Sequence, residues 1–286
     1  MSEPCFLAVD GTGLLVRCCQ APRSRDLFAS DGTPTGALMM FIASLSRVIK
    51  ANEPTHLLVA WDGARCLEWR RAIYEPYKQG RRGFDIDGAQ AAQAVEFLAT
   101  AGIPQCRIAG FEADDILAAV ARCRRPGTRV VLASDDADLL QLAGGPDTGV
   151  YRGHALWDAI DVKREYDVLP SQLTRLRALV GDRSDGIAGV PHVGPVRALR
   201  MLRQAEFAWP LPPDVLPRRE HRAVADACYR VMNLITPERR PEESPLFGND
   251  VINCSWNPPD HAKVLPILER YELSAIAERS RVGNLW

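Results

Sequence analysis

The stretch RVVLASDDAD, residues 129–138, joins a short run of apolar residues to a cluster of acids. Two other segments follow the same plan, CFLAVD at 5–10 and THLLVAWD at 55–62. Short continuous apolar runs are typical of strands buried on both faces, as in a parallel sheet. Helical patterns separate these runs at 34–50, 88–101 and 113–123. This alternation predicts an α/β fold with a mostly parallel central sheet flanked by helices.

Acidic residues follow the predicted strands. Asp10, Asp62, Asp136 and Asp138 all fall at or just after a strand end. In parallel α/β sheets, ligands bind outside the carboxyl ends of the strands. Helix capping does not explain four acids at one edge, so we predict a cation site there.

A second acidic cluster lies in GFEADDIL, residues 110–117, at the predicted start of a helix. Acids in a first helical turn are stabilised by about 0.3–1 kcal/mol each through the helix dipole. Mutual repulsion at ~5 Å and an effective dielectric of about 20 is on the order of 3 kcal/mol per pair. From this stretch alone, capping and cation binding stay equally open. If a cation is bound, the repulsion in the metal-free protein predicts that Asp→Asn changes here raise stability.

The segment VGDRSDGIAGV, residues 180–190, adds two acids that a helical or tight-turn backbone would present on one side. The candidate ligands are then Asp10, Asp62, Glu112, Asp114, Asp115, Asp136, Asp138, Asp182 and Asp185. Oxygen ligands without Cys or His favour Mg²⁺ or Mn²⁺ over zinc. So many acids suit two ions about 4 Å apart, the arrangement that cleaves phosphodiesters.

The composition is that of an ordinary globular protein. The chain has 286 residues, is 47% hydrophobic and carries a formal net charge of −1. Its basic residues are clustered, with six Lys/Arg against two Glu in residues 65–82, so the neutral total does not exclude nucleic acid as a partner. The eight cysteines form no CxxC pair, and no signal peptide or run of ~20 apolar residues is evident. We expect a reduced, cytoplasmic protein.

The last part of the chain has a different pattern. After about residue 160, helices are predicted at 161–166, 171–181, 195–202 and within 261–281. The Pro-rich segments 209–220 and 236–248 are predicted to be extended connections. We therefore divide the chain into an α/β unit, residues 1–160, and a helical unit, residues 161–286.

Six motifs together resemble the 5′-nuclease or flap endonuclease superfamily, in particular the N-terminal 5′-3′ exonuclease domain of bacterial DNA polymerase I and its stand-alone relatives. They are VDG at 9–11, WDG at 61–63, WRRAIYEPYKQGR at 69–81, GFEADDILA at 110–118, SDDADLLQL at 134–142 and GDRSDGIAGVPHVGPVRA at 181–198. The resemblance covers about residues 5–205. It implies a PIN-like or resolvase-like nuclease core, a helical arch at about 70–101 and a C-terminal DNA-binding subdomain of the helix-hairpin-helix type.

The resemblance also implies roles for individual residues. Asp10, Asp62, Glu112, Asp114 and Asp115 would serve a first metal site, Asp138, Asp182 and Asp185 a second, and Asp136 would lie between them. Tyr77, Lys78 and Arg81 match the Tyr-Lys-x-x-Arg motif at the base of the arch, where Lys78 would contact the scissile phosphate and Tyr77 would stack on an unpaired base. Arg70 would support phosphate binding.

The hairpin GVPHVGPVRALRMLR, residues 189–203, resembles the element with which the family holds duplex backbone. Gly189 and Gly194 would allow close approach, and Arg197, Arg200 and Arg203 would bind phosphate without reading sequence. Four residues depart from the family pattern: Ala137 stands for Lys, Gly186 for Asn, Ala188 for Pro and His192 for Gly. His192 is at odds with the K⁺ site that the pattern implies at the hairpin.

The expected activity is that of a Mg²⁺-dependent, structure-selective 5′-3′ exonuclease or flap endonuclease acting in DNA replication and repair. Its substrates would be 5′ flaps, nicked or gapped duplex DNA and RNA primers. A haloacid-dehalogenase-type phosphatase is excluded, because Ala8 stands where that chemistry needs a nucleophilic Asp. A PIN-type ribonuclease shares the acidic α/β core but does not require the basic segment or the hairpin. A DNA-binding protein without catalysis would be marked by a replaced metal ligand, and none is found.

Overall fold

The central element is one six-stranded sheet. The computed structural model describes residues 3–79, 88–144, 147–235, 239–243, 254–258 and 261–286. Within them the strands are β1 (Cys5–Asp10), β2 (His56–Trp61), β3 (Gln105–Arg107), β4 (Arg129–Ala133), β5 (Thr148–Arg152) and β6 (Ala155–Trp157). They lie in the order β3-β2-β1-β4-β5-β6, with every pair parallel except β5 and β6. The predicted mostly parallel sheet is confirmed.

Helices surround this sheet. Those described are α1 (Gly11–Gln20), α2 (Gly36–Asn52), α3 (Glu68–Ile73), α4 (Ala89–Thr100), α5 (Ala113–Cys123), α6 (Ala159–Tyr166), α7 (Pro170–Val180), α8 (Pro195–Gln204), α9 (Arg219–Met232), α10 (His261–Arg270) and α11 (Ser274–Arg281). A 3₁₀ helix at Ala137–Leu142 follows β4, begins after Asp136 and contains Asp138. None of the described helices is long and apolar enough to cross a membrane.

The alternation of side chains along each strand builds a core on each face of the sheet. On β1, Phe6 and Ala8 face a cluster that contains residues of α5, α7 and α8. Leu7 and Val9 face the opposite cluster, which contains residues of α1, α2, α4, α10 and α11. The C-terminal helices α10 and α11 therefore pack on the α/β core and not with α7 and α8. The division near residue 160 stays a prediction, since the first cluster includes residues from both sides of it.

Several elements differ from the sequence-based expectation. Helices α1 and α9, and strands β3, β5 and β6, were not predicted. Helix α4 falls in the predicted arch, yet it buries Ala94, Phe97 and Leu98 against the core, so this part of the segment belongs to the helical layer. Residues 80–87, the middle of the predicted arch, lie outside the described residues.

Candidate metal centre

The first group of acids lies where β1 and β2 end, near Asp136 after β4, and comprises Asp10, Asp62, Glu112, Asp114 and Asp115. Asp10 is the last residue of β1, and its Oδ1 accepts the Gly13 N–H at 2.8 Å, which caps α1. Its Oδ2 accepts the Ser134 hydroxyl at 2.9 Å. Burial raises the pKa of Asp10, and these two hydrogen bonds oppose the shift. Asp10 is thus held in place by partners from two different elements.

Asp114 lies in the first turn of α5 among other acids. Its Oδ1 is buried and has no hydrogen-bond partner among the described residues. Burial raises the pKa of Asp114 well above its ordinary value, and the nearby charges of Asp136 and Asp10 raise it further. A buried carboxylate oxygen without a partner, beside other carboxylates, fits the oxygen ligation that a hard divalent cation requires.

Asp62 follows β2 and joins this group. Its Oδ1 accepts the Ala113 N–H at 2.8 Å, which ties it to the start of α5. Burial and the charge of Glu112 raise the pKa of Asp62 to about 7. The carboxylate is therefore easily protonated in the metal-free protein, and a bound cation would favour its charged form.

Glu112, by contrast, already has cationic partners. Its Oε1 accepts a hydrogen bond from Lys78 Nζ at 2.5 Å, and its Oε2 accepts one from Arg70 Nη1 at 2.7 Å and one from the Tyr77 hydroxyl at 3.0 Å. Burial raises the pKa of Glu112, but the charges of Lys78 and Arg70 outweigh it and hold the pKa below its ordinary value. Glu112 is therefore ionised and engaged without any metal.

Asp115 is bound to Arg70 through both of its oxygens. Oδ1 accepts Arg70 Nη2 at 2.6 Å, and Oδ2 accepts Arg70 Nη1 at 2.9 Å and the Glu112 N–H at 3.0 Å. These bonds occupy three of the carboxylate's roughly four lone-pair positions. The side chain is only 2% exposed. Both oxygens of Asp115 are thus engaged by Arg70 in this structure, and its role as a metal ligand stays a prediction.

Arg70 and Tyr77 also differ from their predicted roles. Arg70 is 2% exposed and donates from Nε to the Val231 carbonyl at 2.8 Å, so it cannot reach a phosphate. Tyr77 is 4% exposed, which excludes stacking on a base in this arrangement. The sequence shows that Arg70 is basic and Tyr77 aromatic, but it does not show that both side chains are buried and thus out of reach of DNA in this arrangement. Arg81 lies outside the described residues.

Lys78 is a basic side chain that lies between the two groups of acids. In addition to Glu112, its Nζ is 3.9 Å from Asp185 Oδ2, and its backbone N–H donates to the Asp185 carbonyl at 2.7 Å. Burial opposes the charged form of Lys78, but Glu112 and Asp185 outweigh it and raise its pKa above the ordinary value. Lys78 thus connects the two groups of acids.

The second group of acids comprises Asp138, Asp182 and Asp185, and Arg177 of α7 is the base that pairs with two of them. Arg177 Nε lies 3.1 Å from Asp138 Oδ1, and its Nη2 pairs with Asp182. Burial raises the pKa of Asp138 to about 7, although Arg177 opposes the shift. For Asp182, burial also raises the pKa, but hydrogen bonds from Ser184 and the charge of Arg177 lower it below the ordinary value.

Sequence reasoning missed Arg177 and Ser134. Their positions in the sequence give a signal for both, since Arg177 lies five residues before Asp182 and Ser134 directly follows β4.

A cavity of about 350 Å³ lies between the two groups of acids, bordered by Asp10, Asp136 and Asp182 among others.

The acids do not form a finished ligand set. In the part of the chain that the structure describes, no three acidic, histidine or cysteine side chains are arranged to hold an ion as they stand. Bases engage part of the acids, because Lys78 occupies one Glu112 oxygen and Arg177 pairs with Asp138 and Asp182. Binding of a cation therefore requires that these bases release carboxylates or that the acids without bases bind it first.

The hairpin between α7 and α8 begins directly at the second group of acids. Asp182 and Ile187 exchange backbone hydrogen bonds of 2.7 and 2.8 Å. Gly189 has φ +67, and a Cβ there would lie 2.5 Å from the Gly181 nitrogen, so glycine is required. Gly194 caps α8, and Arg197 and Arg200 are exposed on that helix.

Two departures from the family pattern have local consequences. A Cβ at Gly186 would lie 2.7 Å from the Pro76 carbonyl oxygen, so glycine allows the Lys78 loop to lie against Asp185. His192 has φ 63, a left-handed conformation that favours glycine. His192 therefore adopts a backbone conformation that is strained for a residue with a side chain.

Comparison with known proteins gives consistent results along most of the chain. Residues 5–167 match the family model described as "5′-3′ exonuclease, N-terminal resolvase-like domain". DNA polymerase I of Bacillus caldotenax is 33% identical over 207 residues, which are 70% of this chain but 23% of that protein, so the chain spans about a quarter of the DNA polymerase I relatives that it matches. A 5′-3′ exonuclease of Halalkalibacterium halodurans is 30% identical over 223 residues, 71% of each chain.

A structural comparison agrees on the fold. The flap endonuclease of bacteriophage T5, solved with DNA and metal ions, superimposes with a TM-score of 0.64 over 94% of this chain and 99% of that one. Its sequence identity is 21%, so this likeness is one of fold alone.

Proposed function

The chain belongs to the 5′-3′ exonuclease family, and we propose that it is a Mg²⁺- or Mn²⁺-dependent nuclease that hydrolyses DNA phosphodiesters near 5′ ends and at single-strand/duplex junctions. One observation carries the proposal. Asp114, with a buried oxygen that lacks a hydrogen-bond partner among the described residues, stands beside Asp10 and Asp136, and Lys78 is close enough for its charge to act on Asp114 and Asp10. A carboxylate group with this much uncompensated charge suits divalent cations, and a buried lysine beside it suits a phosphate.

Two ions are proposed, held by the acids other than Asp115. The first would be bound by Asp10, Asp62, Asp114 and, once released from Lys78, Glu112, and the second by Asp136, Asp138, Asp182 and Asp185. When bound, such ions act as Lewis acids toward a phosphodiester and lower the pKa of an attacking water. We propose Asp136 as the acid between the two groups.

The protein's own groups orient and stabilise the substrate. Lys78 would exchange Glu112 for a phosphate oxygen and stabilise the charge that develops there during cleavage. Tyr77 holds the Glu112 carboxylate through its hydroxyl and is proposed to keep it oriented when Lys78 leaves. Arg81 is proposed to add a second phosphate contact from the arch.

DNA would be held by the hairpin and by α8. The exposed amides at the α8 N-terminus and the side chains of Arg197 and Arg200 suit duplex phosphates. Gly189 and Gly194 would admit the backbone, and the His192 side chain, where the family pattern has Gly, argues against K⁺ at this hairpin. Substrates would include 5′ flaps, nicked or gapped duplexes and RNA primers, in replication and repair. An enzyme with this task in a bacterium would work in the cytoplasm, on the nucleoid.

Cleavage of a 5′-labelled flap duplex tests this function. The wild-type protein should cut near the junction with Mg²⁺ and should not cut with a chelator. Asp136→Ala should abolish cutting with Mg²⁺, while Asp214→Ala, which removes an exposed acid away from the acidic edge, should cut like the wild type. Binding of the flap without cutting in Mg²⁺ and in Mn²⁺ would make the protein a DNA-junction binder and would refute the proposal.

A further inference from the structure

The C-terminal end of α9 and the residues just after it form a buried contact point for Arg70 of α3 and Gln141 of the 3₁₀ helix. The Val231 carbonyl accepts Arg70 Nε at 2.8 Å, and the Met232 carbonyl accepts Gln141 Nε2 at 2.9 Å. The Leu234 N–H donates to Gln141 Oε1 at 2.8 Å. Unpaired carbonyl groups at a helix end need such partners when they are buried.

Arg70 leads from this point to the first group of acids. Its Nη1 contacts Glu112 at 2.7 Å and Asp115 at 2.9 Å, and its Nη2 contacts Asp115 at 2.6 Å. One guanidinium thus fixes the start of α5 against the end of α9. Because the fork is planar and all these bonds are short, the Glu112 carboxylate has little freedom to turn.

Gln141 leads from the same point to the second group of acids. Besides Met232, its Nε2 donates to the Asp138 carbonyl at 2.7 Å, and its Oε1 accepts the Thr174 hydroxyl at 3.0 Å. Gln141 is 3% exposed. The amide therefore fixes the backbone of Asp138 and, through Thr174, the helix that carries Arg177.

We infer that the segment formed by residues 231–234 positions both groups of acids for metal binding, through Arg70 on one side and Gln141 on the other. It is called the 231–234 segment below. The inference rests on the proposed metal-dependent function and deepens it. The 231–234 segment lies beyond residue 167, where the match to the family model ends. Arg70 and Gln141 are positioning residues, since neither would touch the ion or the DNA.

Mn²⁺ binding to the full chain without DNA tests the inference, with free Mn²⁺ followed by electron paramagnetic resonance. Arg70→Met and Gln141→Met remove the contacts; Met matches the length of Gln and keeps only the aliphatic part of Arg. Loss of such orienting partners weakens metal affinity by about 10–100-fold in comparable sites, and we expect that range for each variant. Arg70→Lys, which keeps the charge but not the fork, should fall between Arg70→Met and the wild type.

Arg122→Met is the matched control. Arg122 Nη1 donates to the Leu234 carbonyl at 2.7 Å, and its Nε and Nη2 bind Glu242 at 3.1 and 2.8 Å, so it contacts the same segment without reaching an acid of the site. The inference predicts that Arg122→Met lowers thermal stability but leaves Mn²⁺ affinity within about twofold of the wild type.

The possible outcomes separate this inference from the proposed function. Equal Mn²⁺ affinities in all proteins would overturn the inference, as would equal weakening by Arg122→Met or a wild-type protein that binds no Mn²⁺. Neither equal affinities in all proteins nor equal weakening by Arg122→Met would affect the flap-cleavage test. If Mn²⁺ affinity falls across the variants as expected but the wild-type protein fails to cut DNA, the inference is supported and the nuclease proposal is refuted. If Arg70→Met does not fold, Arg70→Lys and Gln141→Met decide the question.

Discussion

Two neighbouring acids of one motif are predicted to have opposite effects on stability. Asp115→Asn should destabilise the metal-free protein, because Asp115 is the buried partner of Arg70. Asp114→Asn should stabilise it, because Asp114 has a buried oxygen without a partner and is repelled by Asp136 and Asp10. The sequence alone predicted stabilisation for every Asp→Asn change in this cluster, and the position of Arg70 is what separates the two.

The size of the Asp115 effect follows from its contacts. Removing one partner of a buried ion pair costs about 3–5 kcal/mol. At an unfolding entropy of about 2.1 cal/mol/K per residue, that loss lowers the unfolding midpoint of this 286-residue chain by roughly 5–8 °C. For Asp114, each unit by which its folded-state pKa is raised contributes about 1.4 kcal/mol of destabilisation above that pKa. Neutralisation by Asn removes this contribution.

The assay is thermal unfolding followed by circular dichroism at about pH 8, with chelator and then with Mn²⁺. The expected order of midpoints with chelator is Asp114→Asn above wild type and wild type above Asp115→Asn. Mn²⁺ should raise the midpoint of the wild type and of Asp115→Asn more than that of Asp114→Asn. A midpoint of Asp115→Asn at or above that of the wild type with chelator would refute the assignment of Asp115 as a partner of Arg70. A midpoint of Asp114→Asn below that of the wild type would refute the claim that repulsion by Asp136 and Asp10 destabilises the metal-free protein.

Three further predictions concern pH, the lysine and the hairpin. Burial raises the pKa of Asp62 and of Asp138 to about 7, so the folded protein binds more protons than the unfolded chain between about pH 4 and 7. The stability of the metal-free protein should therefore fall as pH rises through this window. Unfolding midpoints that rise from pH 5 to 7 would contradict this. Lys78→Met should lower the single-turnover cleavage rate by about 10²–10³-fold without weakening Mn²⁺ binding, because Glu112 loses a competing cation; an unchanged rate would exclude a phosphate contact. His192→Gly should raise the free energy of unfolding in denaturant by about 1 kcal/mol, since φ is 63 at this position, and a decrease would show that the conformation carries no strain.

The sheet was predictable where its strands are strongly apolar. The runs at β1, β2 and β4 are continuous and almost entirely buried, and acids stand at the end of β1 and within three residues after β2 and β4, so both the strands and the position of the acidic edge followed from sequence. Strands β3 and β6 are three residues long and were missed, since such short segments carry no periodicity. Helix α1 was missed because its first turn contains Gly11 and Gly13, which are poor helix formers. Here glycine is required, because a Cβ at Gly13 would lie 2.2 Å from Asp10 Oδ2.

The acids of the site were predictable, but their partners were not. Sequence shows that Glu112, Asp114 and Asp115 are crowded, and the spacing cannot show which of them faces Arg70. Arg70 and Arg71 are adjacent and look alike in sequence, yet Arg70 is buried between α3, α5 and α9 while Arg71 is exposed. The distinction depends on α9, which follows a Pro-rich segment more than 130 residues away from Arg70. Long-range packing of this kind has no local sequence signal.

The central claim is that divalent ions bind beside the acids that lack a cationic partner, and anomalous scattering from crystals soaked in Mn²⁺ tests it most directly. The account predicts a peak at about 2.0–2.3 Å from an Asp114 oxygen, with Asp10 or Asp136 as a second ligand and Asp115 still bound to Arg70. A peak coordinated by Asp115, or no peak at this edge of the sheet at saturating Mn²⁺, would contradict it.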